Sequence, residues 1–410
     1  MRACIQKSIA QGEAGVNPSK SFLHRYLIGA ALSKGESVIE NVSFSEDIKA
    51  TLDCIETLGA TVTIQEDVNK IIVKGTDFIG KDLSFSCRES GSTLRFFIPI
   101  SLTEPGKRTF FGSLRLLSRP LNVYEEIFKE QGISYDNKKE YLDIEGALCP
   151  GNFKVLGNVS SQFITGLLFA LPLLKEDSVI EIIPPVESKS YIDITLKVLA
   201  DFGIETENDD YKYIKIKGNQ SYQPGNFKVE GDASNAAFLD AFNYLNGSVT
   251  LKNLYSALEP AGLQGDRVYK HFFREICKDN EDDLLIDISD CPDLGPILFT
   301  MAALKRTVTF FGTKRLAIKE SDRVNAVCDE LSKVGVKAEI SENSCKIIKG
   351  DLHKAKVPFD SHNDHRIVMS MAVLSSVLGG EIENAEAVNK SFPEFFNIIK
   401  ELGVKVEIYE

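Results

Sequence analysis

Leu58-Gly59-Ala60-Thr61-Val62-Thr63-Ile64, followed by Ile71-Ile72-Val73-Lys74-Gly75, is the stretch on which the fold turns. A glycine after a helix can take the left-handed conformation that ends it. Alternating apolar and polar residues then make a strand, a polar turn follows, and a second strand closes on another glycine. Upstream, Ile48, Leu52, Ile55 and Leu58 share one helical face, and Ser43 with Glu46 fits a capping box at its start.

The same plan returns along the chain. Gln131-Gly132-Ile133 leads to Tyr141-Leu142-Asp143-Ile144-Glu145-Gly146, and Phe202-Gly203-Ile204 leads to Tyr213-Ile214-Lys215-Ile216-Lys217-Gly218. Val334-Gly335-Val336 leads to Ile347-Ile348-Lys349-Gly350, and the sequence finishes on half a copy, Leu402-Gly403-Val404-Lys405-Val406-Glu407-Ile408. The anchor glycines 59, 132, 203, 335 and 403 are separated by 73, 71, 132 and 68 residues. The gap of 132 is double the others, so a degenerate copy is expected there, with Phe272–Ile288 as its helix-to-strand passage. Six units of about 68 residues account for all 410. Helices and strands this short need a shared core, and two groups of three are expected, divided near Gln223–Asp232.

The 410 residues, 43% hydrophobic and 26% charged, fit a soluble chain of two or three domains. The longest apolar run, Phe163–Leu174, is broken by Thr165 and Gly166, so no membrane span or secretory leader is expected. A net charge of −12 argues against nucleic acid as a general partner, since that needs a basic surface. It leaves room for an anionic small molecule held by a few clustered cations. Eight cysteines without a CxxC pair read as reduced, mostly buried thiols in a cytoplasmic protein, and five histidines without HExxH make a metal site unexpected.

Polar groups suited to phosphate and carboxylate collect between the repeats. Asn17-Pro18-Ser19-Lys20-Ser21-Phe22-Leu23-His24-Arg25 opens a helix whose apolar face is Leu23, Leu27, Ala30 and Ala31. Helix starts offer unpaired N–H groups to anions. Lys20 adds a point charge there, and Arg25 a two-pronged grip. Glu89-Ser90-Gly91-Ser92-Thr93-Leu94-Arg95 allows close backbone approach at Gly91, and Ser118-Arg119-Pro120-Leu121 puts an arginine before a helix-starting proline. Gly157-Asn158-Val159-Ser160-Ser161-Gln162 makes a neutral phosphate cradle, and Ser188-Lys189-Ser190-Tyr191-Ile192-Asp193 begins another helix. Later come Asp293, the run Lys319-Glu320-Ser321-Asp322-Arg323, the run Asn363-Asp364-His365-Arg366, and Lys390-Ser391-Phe392-Pro393. Taken singly, each is explained by capping or by a solvated helix end. Cations beside helix starts oppose the dipole, however, so Arg323, Arg366 and Lys390 imply an anion that offsets that cost.

In this order the motifs resemble the 5-enolpyruvylshikimate-3-phosphate synthase family of enolpyruvyl transferases. The most specific are Val159-Ser160-Ser161-Gln162-Phe163, Ser188–Thr195, Glu230-Gly231-Asp232-Ala233-Ser234, Lys319–Arg323 and Asn363–Arg366, with matches running from Asn17 to Pro393. The resemblance implies an α/β chain with the two-domain enolpyruvyl-transferase fold, an inside-out α/β barrel. Each domain would hold three β/α repeats in pseudo-threefold arrangement, one at 19–229 and the other at 1–18 plus 230–410, with the active site in the cleft between them. It implies transfer of the enolpyruvyl group of phosphoenolpyruvate to the 5-hydroxyl of shikimate 3-phosphate, releasing phosphate, by a cytoplasmic monomer with no metal or other cofactor.

Carried over position by position, Lys20, Ser21, Arg25, Ser160, Ser161, Gln162, Ser188, Tyr191, Asp293 and Lys319 would hold shikimate 3-phosphate. Lys20, Gly91, Arg119, Gln162, Arg323, Arg366 and Lys390 would hold phosphoenolpyruvate, and Lys20, Asp293 and Glu320 would carry protons. Gly91 leaves room beside the phosphoenolpyruvate pocket, which implies sensitivity to glyphosate. Departures from the family pattern are Ser190 in place of a common Pro, Pro18-Ser19 before Lys20, Arg88 where Gly is common, and a stretch between Gly265 and Ser289 short by about a hairpin. A UDP-N-acetylglucosamine enolpyruvyl transferase would carry Lys-Asn at Lys20-Ser21 and a Cys near Arg119-Pro120. A non-catalytic repeat scaffold would have lost the charges.

Overall fold

A computed structural model describes residues 1–75, 82–254, 262–278 and 283–410, which fall into two compact units, Pro18–Glu230 and Met1–Asn17 with Gly231–Glu410. The helices lie inward. Ser161–Ala170 buries 9 of its 10 residues and His365–Leu378 13 of its 14, the mark of helices surrounded by other elements.

In the Pro18–Glu230 unit three four-stranded sheets share one plan. Asp82–Ser86 and Gly106–Phe111 run parallel, joined through the helix Gly91–Ser101. Tyr141–Gly146 and Ser134–Asn137 add antiparallel strands. Alternation does the sorting: Phe85, Phe110, Leu142 and Ile144 point to the core, at most 1% exposed, while Asp82, Ser84 and Lys107 do not. Phe85 stacks on its neighbour Phe110 with centroids 4.9 Å apart. The third sheet repeats the plan with Asn152–Leu156, Ser178–Ile183, Tyr213–Ile216 and Thr206–Asp209. In the first, the opening strand comes from the far end of the unit: Asn226–Lys228 pairs parallel with Gly35–Glu40.

The other unit has two such sheets, Leu284–Asp287 with Val308–Phe311, Ser344–Ile348 and Lys337–Ile340, and Phe359–Asp360 with Gly380–Glu383, Arg2–Ile5 and Val406–Tyr409. The half copy at the end of the sequence is thus completed by the first strand, through Ala3↔Ile408 and its neighbours. Six sheets in all are seen among the described residues. They stay separate, so the inside-out barrel is a set of sheets around helices and not a closed barrel.

All five anchor glycines have positive φ, from 68° to 105°. The degenerate copy reads differently from its expectation. Its helix is Tyr269–Ile276, but the next described strand, Leu284–Asp287, pairs parallel with Val308–Phe311 and so opens the following repeat. Within the expected passage, residues 279–282 lie outside the described ones. The degenerate copy keeps a two-stranded sheet, Gln11–Gly15 with Ser248–Lys252. Two local expectations also shift: the second helix is Glu46–Thr57 with Ser45 at its N-cap, and Pro120 precedes the helix Asn122–Gln131 without entering it. No disulfide is formed, and five of the eight cysteines are buried. Among the described residues no helix is long and apolar enough to cross a membrane.

Candidate active site

In the Pro18–Glu230 unit the helix starts carry the expected residues. Ser19 caps Lys20–Leu32 by accepting from Phe22 N, which sets Lys20 at its first position. Lys20 Nζ donates to Asp47 Oδ2 at 2.7 Å. Arg25, one turn on and 3% exposed, is held by neutral groups among the described residues. Its Nε donates to Thr195 Oγ1 (2.8 Å), Nη1 to Ser21 O (2.7 Å), and Nη2 to Thr165 Oγ1 (3.1 Å) and Tyr191 O (3.2 Å). Burial without a carboxylate lowers its pKa to about 9. Ser21, Arg25 and Tyr191 are therefore brought together, and Thr165 and Thr195 bind them to two further helices.

Ser160 caps Ser161–Ala170 through Gln162 N, and Ser161 is buried at its first position. Ser188 precedes Lys189–Asp201 in a left-handed conformation, φ 57°. Ser190 Oγ, at the position where the family pattern has Pro, is buried with no hydrogen-bond partner among the described residues. Gln162 Nε2 donates to Ser92 Oγ at 2.9 Å, and its Oε1 accepts from Arg95 Nη1 at 2.7 Å. Gly91 begins its helix at this point. A Cβ there would lie 2.7 Å from Arg119 Nη1 and 3.4 Å from Arg95 Nη1, so glycine is what lets both guanidiniums approach. Gly91, Arg119 and Gln162 are thus one cluster. Arg88 has φ 50°, and its guanidinium pairs with Glu46 (2.6 Å) and Asp53 (2.9 Å).

A buried chain of hydroxyls underlies these helix starts. His24 Nδ1 and Thr51 Oγ1 share a hydrogen bond of 2.7 Å, Thr51 and Thr93 one of 2.8 Å, and Thr93 Oγ1 donates to Ser90 Oγ at 2.7 Å. Burial, with Lys20 and Arg25 nearby, holds the His24 pKa well below its usual value, so the ring is neutral.

The other unit gathers Asp293, Lys319, Glu320, Arg323 and Arg366. Arg323, 1% exposed, donates from Nε to Asp364 Oδ2 (2.8 Å), from Nη1 to Asp293 Oδ1 (2.8 Å) and from Nη2 to Glu320 Oε2 (2.7 Å). Arg366 Nη2 donates to Asp293 Oδ2 at 2.9 Å, and Lys319 Nζ to Asp293 Oδ1 at 3.3 Å. Lys390 Nζ donates at 2.7 Å to the backbone carbonyl of Asn363, the residue that precedes Asp364. Burial alone would lower the Arg323 pKa, but Asp364, Glu320 and Asp293 raise it above its ordinary value. Burial of Lys319 lowers its pKa to about 8, against the pull of Asp293. Asp364, Asp293 and Glu320 thus bond Arg323, and Asp293 also bonds Arg366.

Three residues with no assigned role in the sequence reading emerge. Arg95 lies four positions after Gly91, a spacing that shares a helix face and could have flagged it. Asp364, fully buried, caps its helix through Arg366 N (2.9 Å) and accepts from Ser321 Oγ (3.0 Å), and its place before a helix start was the available signal. Asp47 had none. Among the described residues no group of three or more His, Cys, Asp or Glu could hold a metal ion.

The family model for EPSP synthase (3-phosphoshikimate 1-carboxyvinyltransferase) matches residues 6–399. The 3-phosphoshikimate 1-carboxyvinyltransferase of Clostridium perfringens is 43% identical over 98% of each chain, and that of Clostridium kluyveri 41% identical over 98% of this chain and 97% of its own. The solved EPSP synthase of Acinetobacter baumannii, 20% identical, superposes over the full length of both chains with a TM-score of 0.77 and shares the fold. With the family model matched over residues 6–399 and a relative 43% identical over 98% of the chain, the chain belongs to the EPSP synthase family.

Proposed function

We propose that this chain transfers the enolpyruvyl group of phosphoenolpyruvate to the 5-hydroxyl of shikimate 3-phosphate and releases phosphate. Shikimate 3-phosphate is assigned to Lys20, Ser21, Arg25, Ser160, Ser161, Gln162, Ser188 and Tyr191, with Asp293 and Lys319. Phosphoenolpyruvate is assigned to Lys20, Gly91, Arg119, Gln162, Arg323, Arg366 and Lys390.

Each substrate carries a carboxylate and a phosphate, and fixed, partly dehydrated cations are what offset such charge. The hydroxyl oxygen bonds to C2 of phosphoenolpyruvate as it loses its proton and C3 gains one. The C2–O bond to phosphate then breaks and C3 gives up a proton. Both steps need groups that give and take protons beside that carbon. Lys20, Asp293 and Glu320 are assigned this work.

The observation that carries the reading is Arg25, a buried arginine whose partners among the described residues are neutral, beside Lys20 at the same helix start. A cation held in this way, without a carboxylate, suits an external anion. The test is phosphate release from phosphoenolpyruvate with shikimate 3-phosphate, with UDP-N-acetylglucosamine, or with no acceptor. Release with shikimate 3-phosphate alone is expected, and none with it would sink the proposal.

A further inference from the structure

We infer that Arg95 is a positioning residue for the phosphoenolpyruvate end of the site, an assignment that rests on the function proposed above. Its guanidinium is 3% exposed and reaches two segments besides its own helix. Nη1 donates to Gln162 Oε1 at 2.7 Å, and Nη2 donates to Pro120 O, next to Arg119, at 3.3 Å. The group lies over the Phe163 ring, 5.1 Å from its centroid. Its backbone carbonyl accepts from Tyr124 Oη at 2.6 Å, which ties the segment after Arg119 to the same point. Gly91, Gln162 and Arg119 thus come from three places in the sequence and meet at this one side chain.

The chemistry at Gln162 gives the contact a purpose. An amide has two ends of similar shape, one accepting and one donating, and its neighbours decide which way it faces. Arg95 can only donate, so it draws Oε1 toward itself and turns Nε2 outward to Ser92 Oγ. The planar fork serves Gln162 and Pro120 together, which a lysine ammonium in one position does not. Arg95 fixes both the orientation of the Gln162 amide and the place of the Arg119 segment.

The test uses the full chain, with the KM for each substrate measured at saturating levels of the other, alongside the melting temperature. Arg95→Lys should raise the KM for phosphoenolpyruvate about tenfold and Arg95→Met about a hundredfold, with a rise about tenfold smaller in the KM for shikimate 3-phosphate, which Gln162 also serves but Arg119 does not. Because the Gln162 contact is shared, the double variant Arg95→Met with Gln162→Met should fall well short of the product of the two single effects, the remainder being the loss at Pro120. Equal rises in both KM values would overturn the inference. So would a lowered melting temperature with wild-type KM values, or independent effects in the double variant. Should Arg95→Met fail to fold, Arg95→Lys with Gln162→Met carries the same comparison. A wild-type chain that releases no phosphate from the two substrates defeats the parent reading; an active wild type with unselective Arg95 variants defeats only this one.

Discussion

Arg25 and Arg323 are both buried guanidiniums in the opening turns of a helix, one in each unit, and their partners differ in kind. Arg25 sits among hydroxyls and carbonyls, and burial lowers its pKa to about 9. Arg323 sits among Asp364, Asp293 and Glu320, which outweigh burial and raise its pKa. The first arrangement leaves the positive charge without a carboxylate among the described residues, as the proposed binding of an anionic substrate requires. The second spends its charge on holding carboxylates in place, and two of those are the groups assigned to proton transfer. Lys20 qualifies the contrast, because Asp47 holds it at 2.7 Å in the unit otherwise rich in neutral partners.

The largest effect expected from this contrast is on turnover. Lys20→Ala and Glu320→Ala should each lower kcat by about a thousandfold or more while the melting temperature stays near wild type, as removal of a proton-transfer group does. Wild-type rates in either would remove the assignment. Stability should separate the two arginines. Arg323→Met leaves Asp364 buried without its cation and should cost about 3–5 kcal/mol in urea unfolding. Arg25→Met leaves hydroxyls that already bond one another, Thr165 with Thr195 at 2.8 Å, and should cost about 1 kcal/mol. Equal losses would erase the distinction.

Smaller effects follow at the rims of the two clusters. Gly91→Ala puts a methyl 2.7 Å from Arg119 Nη1, a clash with the end of a flexible side chain, so the KM for phosphoenolpyruvate should rise about tenfold with little loss of stability. Glyphosate inhibition should weaken in parallel. Lys319, with a pKa of about 8, is charged below that pH and loses its charge above it, so substrate KM should climb as pH rises through 8. Lys319→Arg should move that rise to higher pH. The least effect belongs to His362, whose ring shares a hydrogen bond with Glu330 at 2.9 Å and whose pKa that bond raises. Its stabilisation is complete below the ordinary value near pH 6.5 and is lost as pH climbs through the raised one. His362→Asn should cost about 0.5 kcal/mol at pH 6 and nothing at pH 9.

Local chemistry made much of this legible in the sequence. The anchor glycines report a backbone conformation, and all five adopt it; alternating residues report a face, and Phe85, Phe110 and Leu142 are buried on one. Lys20, Ser160 and Arg323 are legible at helix starts because capping is written within three or four residues. Contacts across long separations were not legible. Asp364 lies 41 positions from Arg323, and nothing in either segment announces that the two side chains bond. Gln162 lies 67 positions from Arg95, and nothing in either segment names the other. The passage Phe272–Ile288 misled for a related reason, since a strand belongs to whichever repeat it pairs with, and pairing is not a property of the strand alone.

The seam at residues 17–18 and 230–231 has a practical meaning. Ser19 N donates to Glu230 O at 2.8 Å, and Asp232 N donates to Asn17 O at the same length, so entry to and exit from the Pro18–Glu230 unit lie side by side. Genetically, that unit is an insertion: a short bridge from Asn17 to Gly231 would restore one uninterrupted polypeptide around the gap. The excised piece would begin and end at neighbouring points, already prepared for cyclisation or for new termini cut elsewhere along its surface.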